Sequence, residues 1–338
     1  GALTTNETLR SYVGTPSDQV LVHAMLAMGY LFSGNLDGAR VEMLQADVTM
    51  SQLGDAESVS GQLATVRFLA GLIYELNAEL DDAMISYRRA HQIIKARSET
   101  VPDALATSLL NVSLRRNNGN IQNEEYQRYV SEFGRKASLP GADEGEWIVF
   151  YHDGVVTNKT EARLSVFDPN LEALISVVVP RYPPSRYQAR HLSFSAGERK
   201  STEVIEMIEQ RAREDLADQN AKTMAAATVR AVAKYQMVRK AQKSGELSGF
   251  LANIAGLFSE QADVRSWNML PSSIQVARLV AALDASVKIE GKGIELPALN
   301  RLGSRHYGVL LVNSLNDHLL SYPPYEGLEP IKGQPNEQ

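Results

Sequence analysis

Two stretches of this chain repeat one pattern at a separation of 44 residues, and that repeat limits the possible folds more than any other feature. The first stretch holds Ala27, Tyr30, Gly34, Ala39, Met43 and Ala46; the second holds Gly71, Tyr74, Ala78, Ala83, Tyr87 and Ala90. In each, a small residue stands three before a Tyr. A second small residue follows the Tyr by nine, and a larger side chain and another small residue close the pattern. Val20 to Ala96 reads throughout as amphipathic helix with few breakers. Small residues at these offsets let two helices of a hairpin approach closely, while the Tyr and Met side chains fill the space between successive hairpins.

The spacing resembles the tetratricopeptide repeat, whose usual period is about 34 residues. About ten extra residues therefore fall between the copies, placed at 51–60. A third pair of helices, Ala104–Leu114 and Glu124–Phe133, is joined by the Asn-Asn-Gly-Asn turn at 117–120 but lacks the small-residue pattern; it reads as a degenerate or capping hairpin. An ordinary antiparallel helical bundle is the alternative. In a repeat of this kind the concave side would carry Leu21, Ala24, Met28 and Phe32, then Thr65, Phe68, Leu72 and Glu75. That set is strongly apolar. Either another piece of the same chain covers it, or it binds an apolar peptide or helix. Leu21, Met28, Phe32, Phe68, Leu72 and Glu75 are the candidate partner-binding residues.

Charge marks a possible boundary. Residues 1–145 hold 12 Lys and Arg against 18 Asp and Glu, which accounts for the whole chain's net charge of −6; the remainder is balanced at 22 of each. The change coincides with Leu139-Pro140-Gly141, which breaks helix and strand alike. Two domains follow, 1–140 helical and 146–322 mixed, with 323–338 as a flexible tail. After Gly145 the pattern becomes strand-like: Trp147–Tyr151, Ala162–Phe167, Ala173–Val179 and a short segment within 188–196. Thr202 to Phe258 reads as a helical insert, with Thr202 as its N-cap. Six acids at 203–218 and six basic residues at 222–243 are solvated faces by default. Strands return at Ile274–Leu283, Ser286–Ile289, Ile294–Leu296 and Tyr307–Val312. The fold class is α+β: helical hairpins, then a sheet or small sandwich assembled from 146–196 and 273–320 around the 202–258 insert.

The segment Phe258-Ser259-Glu260-Gln261-Ala262-Asp263-Val264-Arg265-Ser266-Trp267, followed by Leu270–Leu279 (LPSSIQVARL), resembles a family of uncharacterised proteobacterial envelope lipoproteins. Those chains also begin with tetratricopeptide-like helices and carry an Ala/Lys-rich helix before this motif. The resemblance implies export, lipid attachment at an N-terminal cysteine, and residence at the periplasmic face of the outer membrane; it implies no enzymatic activity. Cysteine is absent from this chain, so the implied anchor would lie before residue 1. Read without the family, Glu260, Asp263, Arg265 and Trp267 form a charged, aromatic junction that locks a corner where helix passes to strand.

Motifs for chemistry are lacking. With zero cysteines, disulfides, thiolate nucleophiles and Cys-based metal sites are excluded. The six histidines are scattered, with none within four residues of another, so no helix carries a two-His metal face. No nucleophile elbow, phosphate loop or dinucleotide fingerprint is present. His152-Asp153 sits at a turn where neighbouring side chains diverge. The net charge argues against nucleic acid as a partner, although Arg230–Lys243 could touch phosphate. The expectation is a non-enzymatic periplasmic scaffold or adaptor, without cofactor or metal, that holds a protein partner in the cell envelope. A structural subunit of an envelope or surface-polysaccharide assembly is the alternative, followed by an enzyme with a composite carboxylate site.

Overall fold

The structure, a computed structural model, describes residues 14–53, 61–168, 173–244, 263–267, 269–304 and 306–325. The fold class is α+β. Six helices come first, in three antiparallel pairs: α1 (Pro16–Phe32) with α2 (Leu36–Leu53), α3 (Ala64–Leu76) with α4 (Leu80–Ala96), and α5 (Asp103–Arg116) with α6 (Glu124–Phe133). The small-residue pattern does the packing expected of it. Gly71 lies so close to Tyr87 that a Cβ there would sit 2.6 Å from the ring. Asn123 caps α6 by accepting from the Glu125 and Tyr126 amides, as a helix N-terminus requires.

The strands are β1 (Glu144–Asp153), β2 (Thr160–Asp168), β3 (Ala173–Arg181), β4 (Ser193–Ala196), β5 (Glu198–Ser201), β6 (Glu203–Glu206), β7 (Ser273–Ala282), β8 (Val287–Ile289), β9 (Ile294–Leu296), β10 (Tyr307–Asn313) and β11 (Leu319–Tyr322). Five of them form one sheet in the order β11-β10-β1-β7-β6, and four form a second in the order β5-β4-β8-β9. At its centre β1 runs parallel to β10 and antiparallel to β7. Strand alternation then gives the large sheet two different faces. Trp147, Val149 and Tyr151 point into a core shared with Phe194, Val287, Ile289 and Leu296 of the second sheet, which makes a small sandwich. Glu146, Ile148, Phe150 and His152 point to the helices, where Phe150 meets Phe68 edge-on at 5.9 Å. Gly308 is paired with Trp147, and only a glycine leaves room there: a Cβ would lie 2.4 Å from the indole.

Two compact units emerge. One holds residues 16–156, 187–209 and 270–338, so all six helices and both sheets of the sandwich belong together. The expected seam near residue 145 therefore does not separate helices from strands. Buried polar contacts such as Asn111 to Glu146 cross it. The other unit holds 1–15, 157–186 and 210–269. Its described part is the β2–β3 hairpin and most of α7 (Ile208–Ser244), a single helix of 37 residues. Within it, Asn220 donates to the Pro180 carbonyl at 2.9 Å and Arg213 lies over the Tyr182 ring. No helix among the described residues is long and apolar enough to cross a membrane.

The insert starts later than its sequence suggests. Residues 198–206 form β5 and β6, and helix begins only at Ile208. Thr202 is no N-cap: its hydroxyl accepts from the Leu192 amide and donates to Gln275. The acids at 203–218 are not one solvated face either. Glu206, Glu209 and Asp215 are buried. The second insert helix expected at 245–258 and most of the tail lie outside the described residues.

Candidate functional site

The side of the hairpin array expected to be open is closed by the chain's own sheet. Leu21, Phe68 and Leu72 are fully buried, and Met28, Phe32 and Glu75 nearly so. The expectation that these six present a free partner-binding surface is therefore corrected. The alternative weighed beside it, cover by the same chain, describes what the helices do.

Glu75 shows how the closure is made. Arg278, fully buried on β7, grips Glu75 with Nη2 on Oε1 at 2.7 Å and Nη1 on Oε2 at 2.9 Å. Through Nε and Nη2 the same guanidinium holds Glu146 of β1 at 3.0 and 2.8 Å, and Nη1 also donates to Ser108 Oγ. All five N–H groups of Arg278 are thereby used. Arg115 of α5 bridges the same two carboxylates at 2.6 and 2.7 Å, so two cations face two anions. Tyr87, Tyr307 and Asn111 fill the remaining carboxylate positions. Burial alone would raise the Glu75 pKa; Arg278 and Arg115 outweigh it and hold the carboxyl at about 2. Burial lowers the Arg278 pKa, but the two carboxylates raise it well above normal. Burial and Glu75 raise the Tyr307 pKa. With every N–H of Arg278 spent and both carboxylates gripped, the buried centre of the network has nothing left for a substrate, so its role is to fix the helices to the sheet.

Strand β6 adds a second clamp. Glu206, buried beside α3, accepts from the Ala64 amide at 2.7 Å and the Thr65 amide at 3.4 Å, and pairs with Arg97 at 3.1 Å. The Glu203 carboxylate accepts from the Asp103 amide at 2.8 Å. The two acids thus satisfy the N-termini of α3 and α5, whose own N-cap positions, Leu63 and Pro102, have no side-chain cap.

Beside the network opens a cavity of about 310 Å³. Glu146 and Arg278 form its floor, and Val280 adds aliphatic surface. The rim comes from the first turn of α5 (Asp103, Thr107), from the segment after α6 (Arg135, Ser138) and from β5 (Glu198, Lys200). Asp103 holds both rim cations, with Oδ1 on Arg135 Nη2 and Oδ2 on Lys200 Nζ, each at 2.6 Å. Arg135 Nη2 also donates to Thr107 Oγ1 at 2.9 Å. None of these rim residues was singled out by sequence. Lys200 and Arg135 look like ordinary surface cations there, and nothing in local periodicity brings 103, 135 and 200 together.

The junction motif divides. Asp263 and Arg265 pair with each other at 2.6 and 2.8 Å near the surface, where such a pair adds little to stability. The Arg265 carbonyl accepts from Lys159 at 3.1 Å. Trp267 is half-buried, and Glu260 lies outside the described residues. His152 is buried with Nε2 unpartnered, and burial lowers its pKa to about 4. Its neighbour Asp153 faces elsewhere, accepting from Tyr187 and from Arg190, so the two are no catalytic pair. No group of three or more potential metal ligands exists among the described residues.

A different surface is open. Val22, Leu26 and Tyr30 recur on one face of α1, and Val41, Leu44 and Val48 on one face of α2, all between 40% and 52% exposed. These positions lie opposite the buried faces of the two helices, on the outer side of the first hairpin. Known proteins offer no match: no family model, curated protein or solved structure is similar to this chain.

Proposed function

We propose that the protein is a non-enzymatic scaffold of the cell envelope, and that it docks a protein partner on the outer face of α1 and α2. The observation that carries this is the apolar stripe Val22, Leu26, Tyr30, Val41, Leu44 and Val48 at the end of the hairpin array. A patch of that kind on a folded surface is a mark of an interaction site. The occupant it fits is an amphipathic helix of the partner. The opposite faces of the same two helices already pack helix against helix, and the open side continues that stack. Charge supports the same choice. Asp37 precedes the α2 stripe by one turn, and the only Lys or Arg of α1 and α2, Arg40, is committed to Glu79. The partner helix therefore carries basic residues beside its apolar stripe.

Residence in the periplasm as an outer-membrane lipoprotein rests on the resemblance of the 258–279 segment. The test uses a photoreactive residue at Val41 in the full gene product, expressed in its own cells. A discrete adduct that disappears with Leu26→Glu is expected, as is saturable binding of a synthetic leucine/lysine amphipathic helix to the wild type alone. Adduct formation no stronger than from the exposed control Ile121, or peptide binding unchanged by Leu26→Glu, would contradict the reading. A dimer dispersed by Leu26→Glu would mean that the occupant is a second copy instead.

A further inference from the structure

We infer that the cavity beside the buried ion network binds a small molecule through a single carboxylate, held between Arg135 and Lys200. This site is separate from the helical docking face, and either can fail without the other. Its volume, about 310 Å³, is at the lower end of ligand pockets and suits a molecule the size of an amino acid or dipeptide.

Donor capacity decides what enters. Arg135 spends only Nη2 on the protein, on Asp103 and Thr107, and its Nε and Nη1 make no hydrogen bond to protein. Lys200 spends one N–H of three on Asp103. The Ser138 hydroxyl is also unengaged; only its backbone is bonded, to Asn111. These donors converge on one cavity whose floor, Arg278, is saturated and takes no ligand atom.

Charge decides the class of anion. Asp103 and Glu198 together balance Arg135 and Lys200, so the rim is neutral overall, with its positive part concentrated at Arg135 and Lys200. The floor adds no net charge, because Arg278 and Arg115 balance Glu75 and Glu146. A carboxylate whose own molecule also carries a positive group keeps that balance, whereas a phosphate dianion would break it. Glu198, two residues from Lys200 on the same face of β5 and without a side-chain hydrogen bond to protein, is placed for a cationic or hydroxyl end of the ligand, and Val280 adds an aliphatic patch. Together these features specify a zwitterion better than a simple acid.

Calorimetric titration of the full chain with L-alanyl-L-alanine, propionate and inorganic phosphate tests this. Saturable binding of the dipeptide with a Kd of about 1 mM or tighter is expected, with propionate weaker and phosphate weakest. Arg135→Gln and Lys200→Met should each reduce dipeptide affinity at least about tenfold, and Glu198→Gln should weaken the dipeptide but not propionate. Lys200→Met serves where Arg135→Gln unfolds, since Lys200 holds only Asp103. Absence of saturable dipeptide binding, affinity unchanged by Lys200→Met, or phosphate binding tighter than the dipeptide would each overturn the assignment.

Discussion

Arg278 stands between apolar neighbours, Val276-Ala277-Arg278-Leu279-Val280, and that context was the one sequence signal for the buried network. A guanidinium at the centre of a buried strand needs an anion, but nothing local says that the anion is Glu75, 203 residues away. Glu75 itself was read as facing an open concavity; it is buried against Arg278 instead, and no local pattern announces that partner. Removing one member leaves the others buried and uncompensated. Glu75→Gln or Arg278→Met should each cost about 3–5 kcal/mol in urea unfolding, and the double variant should cost less than their sum. His152 offers a pH signature at the same scale. Its native pKa of about 4 lies below the usual 6.5, so between those values the unfolded chain binds the extra proton. Stability from this residue is full above pH 6.5 and declines as pH falls towards 4. From pH 7 to pH 5 the decline is about 2 kcal/mol. His152→Leu should remove that part of the pH dependence; an unchanged profile would place the titration elsewhere.

Elements with a strong period were legible, and elements held by distant groups were not. The helix pairs fall where the repeat pattern puts them, because Gly71 against Tyr87 is a local consequence of spacing. Gly71→Ala is therefore expected to destabilise by about 1–2 kcal/mol despite the better helix propensity of Ala, since the Tyr87 ring has nowhere to move. Gly29→Ala, on α1 with nothing within 4 Å of the new Cβ, should instead stabilise by about 0.5–1 kcal/mol. Equal signs in thermal unfolding would contradict this account of the packing. Strand β6 was missed because four residues, Glu203–Glu206, carry too short a pattern to outweigh the helix that follows. The acids that made the segment look helical and solvated are there to satisfy the amides of α3 and α5. Their purpose lies in another element, beyond the reach of local reading.

At the scale of the whole chain, composition and charge suggested a break near residue 145, and the pattern does change there from helix to strand. The change of pattern is not a change of unit. Glu146, one residue past the apparent linker, is tied to Arg115 and Asn111 on one side and to Arg278 on the other. Helical hairpins that would offer an inner face to a partner hold a sheet of their own chain there, while the outer face of α1 and α2 stays exposed. The direct test of this closure is hydrogen exchange followed by mass spectrometry under native conditions. Amides of α3, α5, β1 and β7 should open together at the slowest rate, and Arg278→Met should accelerate all four. Independent exchange of the helices, with β1 and β7 still protected, would contradict the account.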